Sequence, residues 1–455
     1  MKDLSKIAGL GRPWARPTYA LAGVVFLAAA AESSWIDQYA QESAAAANAC
    51  GARQFDDCRT HLTRLHELLD GRADIVYRLA KVEAASGNNK AALDWLTIFS
   101  KSGLTFANLA VDPDFAAVRD NQAFRAAVAR LDAARQPVTS SKPFVKLPEP
   151  DLVAEDIAYD AATRRFFVSS VRHGKIVAID LQGHAVKGHA VKGHAANGGA
   201  ADFVPEGQRD IWAMLALRAD SKRRTLWATT AAMPEALAFT AAADGRSALL
   251  EYDLDSGKLL HRYDVKEPGK HALGDMTIGP AGDVYVSDGS GAVYHLDPAR
   301  RGLELLVAPG TFRSPQTPAL APDGSRLFVP DYSRGIGILD LKTKSVKLLE
   351  HPPELSLAGI DGLYLAGASL IAIRNGTSPP RVIRISLDAG LTRALSWQTV
   401  EANWPGLGQP THGVVTGRDF HFIANSGWDQ LGEDGKLKPG AEFSAAEIRV
   451  MRIPD

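Results

Sequence analysis

The sequence predicts a mainly β protein, a six-bladed β-propeller with a small N-terminal α-helical domain. Three observations carry this. The hydrophobic period changes from helical to alternating near residue 150. After that point, short apolar runs are separated by Asp-Gly, Pro-Asp-Gly, Ser-Gly and Asn-Gly turns. The run–turn–run unit then recurs six times, at intervals suited to propeller blades.

The first segment, 1–35, reads as an export signal or an N-terminal anchor. Lys2, Lys6, Arg12 and Arg16 precede an uncharged apolar run from Tyr19 to Ala31. The run is shorter than the roughly 20 residues a membrane-spanning helix needs. Cleavage among Ala28 to Glu32 would release a periplasmic or secreted protein, whereas an uncleaved segment would anchor it in the inner membrane. Cys50 and Cys58 are the only two cysteines. In an oxidising compartment they predict a local disulfide; a metal pair lacks further ligands nearby.

Residues 36–136 read as helical. Leu62, Leu65, Leu68 and Leu69, then Ile75, Leu79 and Val82, recur at helical spacing, and Gly87-Asn88-Asn89 ends that run. Ala91, Leu93, Leu96 and Phe99 follow up to Gly103, and a last helix is expected near Phe124 to Leu131. Helix pairs joined this way resemble tetratricopeptide repeats, with two units at most. Residues 137–150 carry four prolines and read as a linker, although Phe144–Leu147 could supply an outer strand that closes the ring.

The propeller segment is 151–455. Its units pair Glu155–Tyr159 with Arg165–Ser169, Leu215–Ala219 with Thr225–Thr229, and Asp275–Gly279 with Asp283–Ser287. The other three pair Thr317–Ala321 with Arg326–Pro330, Asp361–Leu365 with Ser369–Ile373, and Thr411–Val415 with Asp419–Ile423. Ile448–Ile453 is one strand more. A β-sandwich would show fewer strands and no such repeat.

In a propeller the first strand of each blade lines the central channel, so Glu155, Leu215, Asp275, Thr317, Asp361 and Thr411 should ring one mouth. Three of these six are carboxylates, in alternate blades, with Gln316 and His412 beside the ring. Buried like charges repel unless a cation is present, and Ca²⁺ or another divalent cation takes oxygen ligands such as Glu155, Asp275, Gln316 and Asp361. Asp near a turn also caps its own backbone, so a purely structural role stays open. Asn425 and Trp428 are candidate substrate-binding residues at the mouth.

The opening Glu155-Asp-Ile-Ala-Tyr159-Asp160, the Ile360-Asp361-Gly362-Leu363 blade start, Gly274-Asp275 and Asp288-Gly289 together resemble the senescence marker protein/gluconolactonase superfamily. The resemblance implies a six-bladed propeller whose opening Glu and fifth-blade Asp bind a catalytic divalent cation, roles that fall on Glu155 and Asp361. It also implies Asp361 as general base, with His412 a second candidate. The chain departs from the pattern at Ser314-Pro315-Gln316-Thr317-Pro318, where the family has Ser-Asn-Gly, and at Asp156-Ile157 for Gly-Pro.

Basic and acidic residues number 51 and 52, which points to no nucleic-acid partner held by bulk charge. No Gly-x-Ser-x-Gly elbow or phosphate loop occurs. His184, His189 and His194 lie in a short tandem repeat that reads as a solvated loop or a transition-metal chelator. Two functions follow as expectations. One is an exported lactonase-type hydrolase acting on a small molecule in the channel. The other is a non-catalytic propeller that binds a ligand, or a protein through the helical domain.

Overall fold

The structure is a computed structural model that describes residues 34–179, 201–297, 299 and 302–453. The export segment before Ser34, and the histidine repeat, lie outside the described residues. Among the described residues no helix is long and apolar enough to cross a membrane.

Five α-helices come first: α1 (Trp35–Gly51), α2 (Phe55–Leu68), α3 (Ala73–Ala85), α4 (Asn89–Lys101) and α5 (Gln122–Ala134). Ser34 caps α1 and Asn121 caps α5, each accepting an early backbone N–H of its helix. The leucine stripe of α2 packs with Ile75, Leu79 and Val82 of α3, while Phe99, Phe115 and Phe124 fill a second apolar layer. A disulfide joins Cys50 of α1 to Cys58 of α2.

Two short strands, β1 (Val138–Thr139) and β2 (Ser141–Lys146), follow directly. Blade one is β3 (Ala154–Asp160), β4 (Arg165–Ser170), β5 (Lys175–Ile179) and β6 (Ala201–Val204). Blade two is β7 (Ala213–Asp220), β8 (Thr225–Ala231), β9 (Ser247–Asp253) and β10 (Leu259–Asp264). Blade three is β11 (Leu273–Ile278), β12 (Val284–Asp288), β13 (Val293–Leu296) and β14 (Leu303–Val307). Blade four is β15 (Ala319–Leu320), β16 (Arg326–Asp331), β17 (Gly335–Asp340) and β18 (Val346–Leu348). Blade five is β19 (Gly362–Ala366), β20 (Ser369–Arg374), β21 (Arg381–Leu387) and β22 (Ala394–Ala402), with β1 on its outer edge. Blade six is β23 (Gly413–Thr416), β24 (Asp419–Ile423) and β25 (Glu447–Arg452), completed by β2.

The ring therefore closes with a strand from before blade one, since β2 pairs antiparallel with β25. Much of the 137–150 segment, read above as a linker, is sheet. Its prolines are compatible with that because Pro143 sits on an outer edge strand, at a shift of register, where no further strand needs its missing N–H. The second strands are buried on both faces, as β8 is throughout, because each blade is sandwiched between two others. Outer strands such as β10 are half exposed.

The inner strands of blades one, two and three start one or two residues earlier than the repeat predicts, and those of blades four, five and six one or two residues later. Asp361 immediately precedes β19, while Thr317 and Thr411 lie two residues before β15 and β23. Strands alternate in direction, so inner-strand starts, blade-to-blade loops and the loops after second strands share one face. The helical domain rests on that face at blades four and five. The Trp35 indole donates to Thr311 O (2.9 Å), Ala73 N to Ser356 Oγ (3.3 Å) and Thr105 N to Ser378 O (3.1 Å), and Lys101 pairs with Glu354.

Candidate functional site at the channel mouth

The mouth is shaped by three β-bulges. Register shifts fall between Ala154 and Ile157 in β3, Met214 and Leu217 in β7, and Leu273 and Asp275 in β11. A bulge breaks the alternation of a strand and re-aims side chains. In blade one it lets the adjacent Glu155 and Asp156 both meet groups of the channel.

Asp156 is fully buried and accepts from Leu217 N (2.8 Å) and from Arg218 Nη1 (2.6 Å), so a bonded ion pair bridges blades one and two. Around it gather Asp275, Asp361 and His412, whose candidate ligand atoms all lie within 4.8 Å of one another. His412 Nε2 is 2.6 Å from Asp275 Oδ1, and its Nδ1 is 2.9 Å from the Glu155 carbonyl oxygen. Both partners accept only, so both ring nitrogens carry protons and the ring is an imidazolium. Burial works against that charge, but Asp361 and Asp275 outweigh it and hold the pKa well above the ordinary histidine value. His412 is therefore held toward its charged form between a carbonyl oxygen and a carboxylate.

The Glu155 carboxylate stands 3.8 Å from His412 Nδ1, and its other oxygen accepts from the Trp428 indole N–H. Burial, with the charges of Asp361 and Asp275, raises its pKa to about 8, against the pull of His412 and Trp428. Asp361 is raised to about 7, chiefly by burial and then by Asp275, with His412 and Asn375 opposing. Each of these acids is short of positive charge.

Asp361 is held from blades four and five. Asn375, directly after β20, donates Nδ2 to Asp361 Oδ2 (2.5 Å) and to Pro410 O (3.0 Å). Its Oδ1 accepts from Tyr332 OH (2.9 Å), a hydroxyl that burial keeps protonated. Gly376 makes this possible: a Cβ there would stand 2.5 Å from Tyr332 Cζ and 2.7 Å from Gly359 Cα. Thr317 Oγ1 donates to Asp275 Oδ1 (2.7 Å).

Of the residues singled out in the sequence, Glu155, Asp275, Asp361 and His412 meet at this mouth. Gln316 turns its amide nitrogen to Ser314 O and Oγ, and its neighbour Thr317 touches the cluster through its hydroxyl. Asn425 is committed to backbone, donating to Ala445 O and accepting from Glu447 N, so it braces blade six. Trp428 reaches the site through Glu155. Asp156, Arg218, Tyr332 and Asn375 went unnoticed as site residues. For Asn375 a signal existed: it ends a second strand on the mouth face and precedes a glycine.

The donors suit a divalent cation. Three buried carboxylates with a single imidazolium among them favour more positive charge, and hard cations take carboxylate oxygens. Glu155, Asp275 and Asp361 would hold it; His412 would ligate only after losing a proton.

No family model and no curated protein matches the chain. Solved structures are similar at low identity. A calcium-binding protein, regucalcin, from Agrobacterium tumefaciens is 14% identical (TM-score 0.45), covering 70% of this chain and 97% of its own. A gluconolactonase from Xanthomonas campestris is 12% identical (TM-score 0.43), covering 70% and 99%. A virginiamycin B lyase from Staphylococcus aureus is 13% identical (TM-score 0.43), covering 68% and 98%. Those names describe those proteins; the architecture of this chain rests on its own strands.

Proposed function

We propose that this protein is an exported, divalent-cation-dependent hydrolase of the lactonase type, working on a small molecule at the channel mouth. The observation that carries the reading is the convergence of Asp275, Asp361 and His412 within 4.8 Å of one another, with the Glu155 carboxylate 3.8 Å from His412 Nδ1 and with Glu155 and Asp361 pushed up toward or above neutrality. A bound divalent cation, with Ca²⁺ the first choice for oxygen ligands, supplies Lewis acidity toward a lactone carbonyl.

The chain's own groups do the proton work. Asn375 occupies Asp361 Oδ2, which leaves Oδ1 to take a proton from water as the water oxygen bonds to the carbonyl carbon. The ring C–O bond then breaks, and Asp361 returns that proton to the leaving alkoxide. The His412 imidazolium stays protonated and steadies the surrounding negative charge. Export to the periplasm or beyond belongs to the same reading, supported by the basic-then-apolar N-terminus and by a disulfide suited to an oxidising compartment.

A second reading, a non-catalytic propeller that binds a ligand or protein, is favoured by the helical domain resting on the mouth face. Calorimetry with Ca²⁺ and a lactone screen, on native protein and Asp361→Asn, separates the two. The hydrolase reading expects binding and turnover by the native chain and loss of turnover in the variant. No cation binding and no turnover in the native chain would leave the binding module.

A further inference from the structure

Arg374 and Arg381 are direct partners in the β20–β21 ladder, so their side chains leave the same face of blade five. That face packs on blade four, and the two side chains cap its apolar layer below the helical domain. They are 2% and 3% exposed.

Their partners are neutral. Arg374 Nε and Nη2 both point to Ala358 O, at 3.3 and 3.0 Å. Arg381 Nε approaches Pro379 O (3.4 Å), and Nη2 donates to Gly103 O (2.8 Å) in the helical domain. Among the described residues no carboxylate bonds either guanidinium. Each has five N–H donors, and these oxygens use few of them. Two buried cations beside each other are costly unless an opposite charge is present. Arg218, a half-buried arginine of the channel mouth, has such a partner in Asp156.

We propose that Arg374 and Arg381 form a binding site for a small monovalent inorganic anion of the chloride class, between blades four and five beneath the helical domain. The enclosure argues for size. The 375–380 loop crosses above the pair, fastened by Thr377 Oγ1 to Arg374 O and Pro379 O and by Thr105 N to Ser378 O. Gly103 closes the side, and a Cβ there would lie 3.1 Å from Arg381 Nη1. An ion entering so closed a site sheds its water, which favours chloride or bromide over the more strongly hydrated fluoride or phosphate. Burial drives the pKa of Arg374 down to about 9, with Arg381 adding to the effect, and that of Arg381 down to about 10. Both remain charged at neutral pH, and the counter-charge is still required.

The test is thermal unfolding of the mature chain at constant ionic strength, with chelator throughout, as gluconate is replaced by chloride. The melting temperature should rise and saturate with chloride or bromide but not with fluoride. Arg374→Met and Arg381→Met should each lose that rise. In gluconate each variant should melt no lower than the native chain, because one of two repelling charges is gone. Chloride NMR on the native protein needs no variant: excess line width, removed by bromide, is expected. No chloride dependence together with no excess width overturns the site, and so does a chloride dependence that survives in both variants.

Discussion

Replacing Glu155 by glutamine should stabilise the cation-free protein while destroying cation binding, an unusual pair of effects for a site residue. The carboxyl titrates at about 8 in the fold against 4.5 in the unfolded chain. As pH rises from the lower value to the higher, the unfolded chain has released its proton and the folded chain has not. The folded state binds more protons in that window, so stability falls with rising pH and the loss is complete above the folded value. At pH 7 the gap of about 2.5 pK units corresponds to about 3 kcal/mol. Glutamine keeps the shape and an oxygen for the Trp428 N–H but has nothing to ionise. In chelator at pH 7–8, Glu155→Gln should therefore melt about 3–5 °C above the native chain. At pH 5 the advantage should shrink below about 1 kcal/mol. Saturating Ca²⁺ should raise the native melting temperature and leave the variant unmoved. A variant less stable than native protein in chelator at pH 8, or an advantage indifferent to pH, would refute the account of Glu155 as a carboxyl awaiting a cation.

Three other outcomes are expected. Tyr332→Phe leaves Asn375 Oδ1 without its hydroxyl donor, which should cost about 1–2 kcal/mol in urea unfolding and weaken Ca²⁺ binding by calorimetry, since the amide that holds Asp361 is freed to turn. Cys58→Ala opens a loop whose cysteines are 8 residues apart, which should cost about 2–3 kcal/mol; reductant should lower the native melting temperature equally and leave the variant unchanged. Intact mass of protein made in an exporting host should place the mature N-terminus near Glu32 and increase by two hydrogens on reduction; a full-length chain with two free thiols would defeat the export reading.

Much of the fold was legible because a propeller repeats its signals. Each blade needs a turn and two strongly apolar strands, and errors in one copy are outvoted by the others. The strand starts were less legible. Thr317, Asp361 and Thr411 align with Glu155 and Asp275 by their turns, yet they precede β15, β19 and β23; Pro318 cannot donate to a ladder, and Gly413 leaves room for the Phe420 ring, 2.4 Å from where a Cβ would stand. The 137–150 segment failed for a related reason. Its prolines punctuate a local pattern, and only pairing with β25 and β22, far away in sequence, makes strands of it.

The site was half legible, and the missing half is about compensation. A ring of acids can be counted along a chain, but the partner of each acid depends on which blade faces it. Asp156 looked like a substitution for a family glycine; a bulge with no glycine to announce it carries that carboxylate to Arg218 in the next blade. His412 looked like a base until two acceptors, one a carbonyl from blade one and one a carboxylate from blade three, appeared on its two nitrogens. Once those pairs are formed, Asp156 is matched by Arg218 and Asp275 by His412. Glu155 and Asp361 accept hydrogen bonds from neutral donors, Trp428 and Asn375, and share the His412 charge with Asp275. Burial raises both acids toward neutrality, and neutral donors steady a carboxylate without cancelling its charge. The cation deficit therefore lies in blades one and five, where the opening Glu and the blade-start Asp stand.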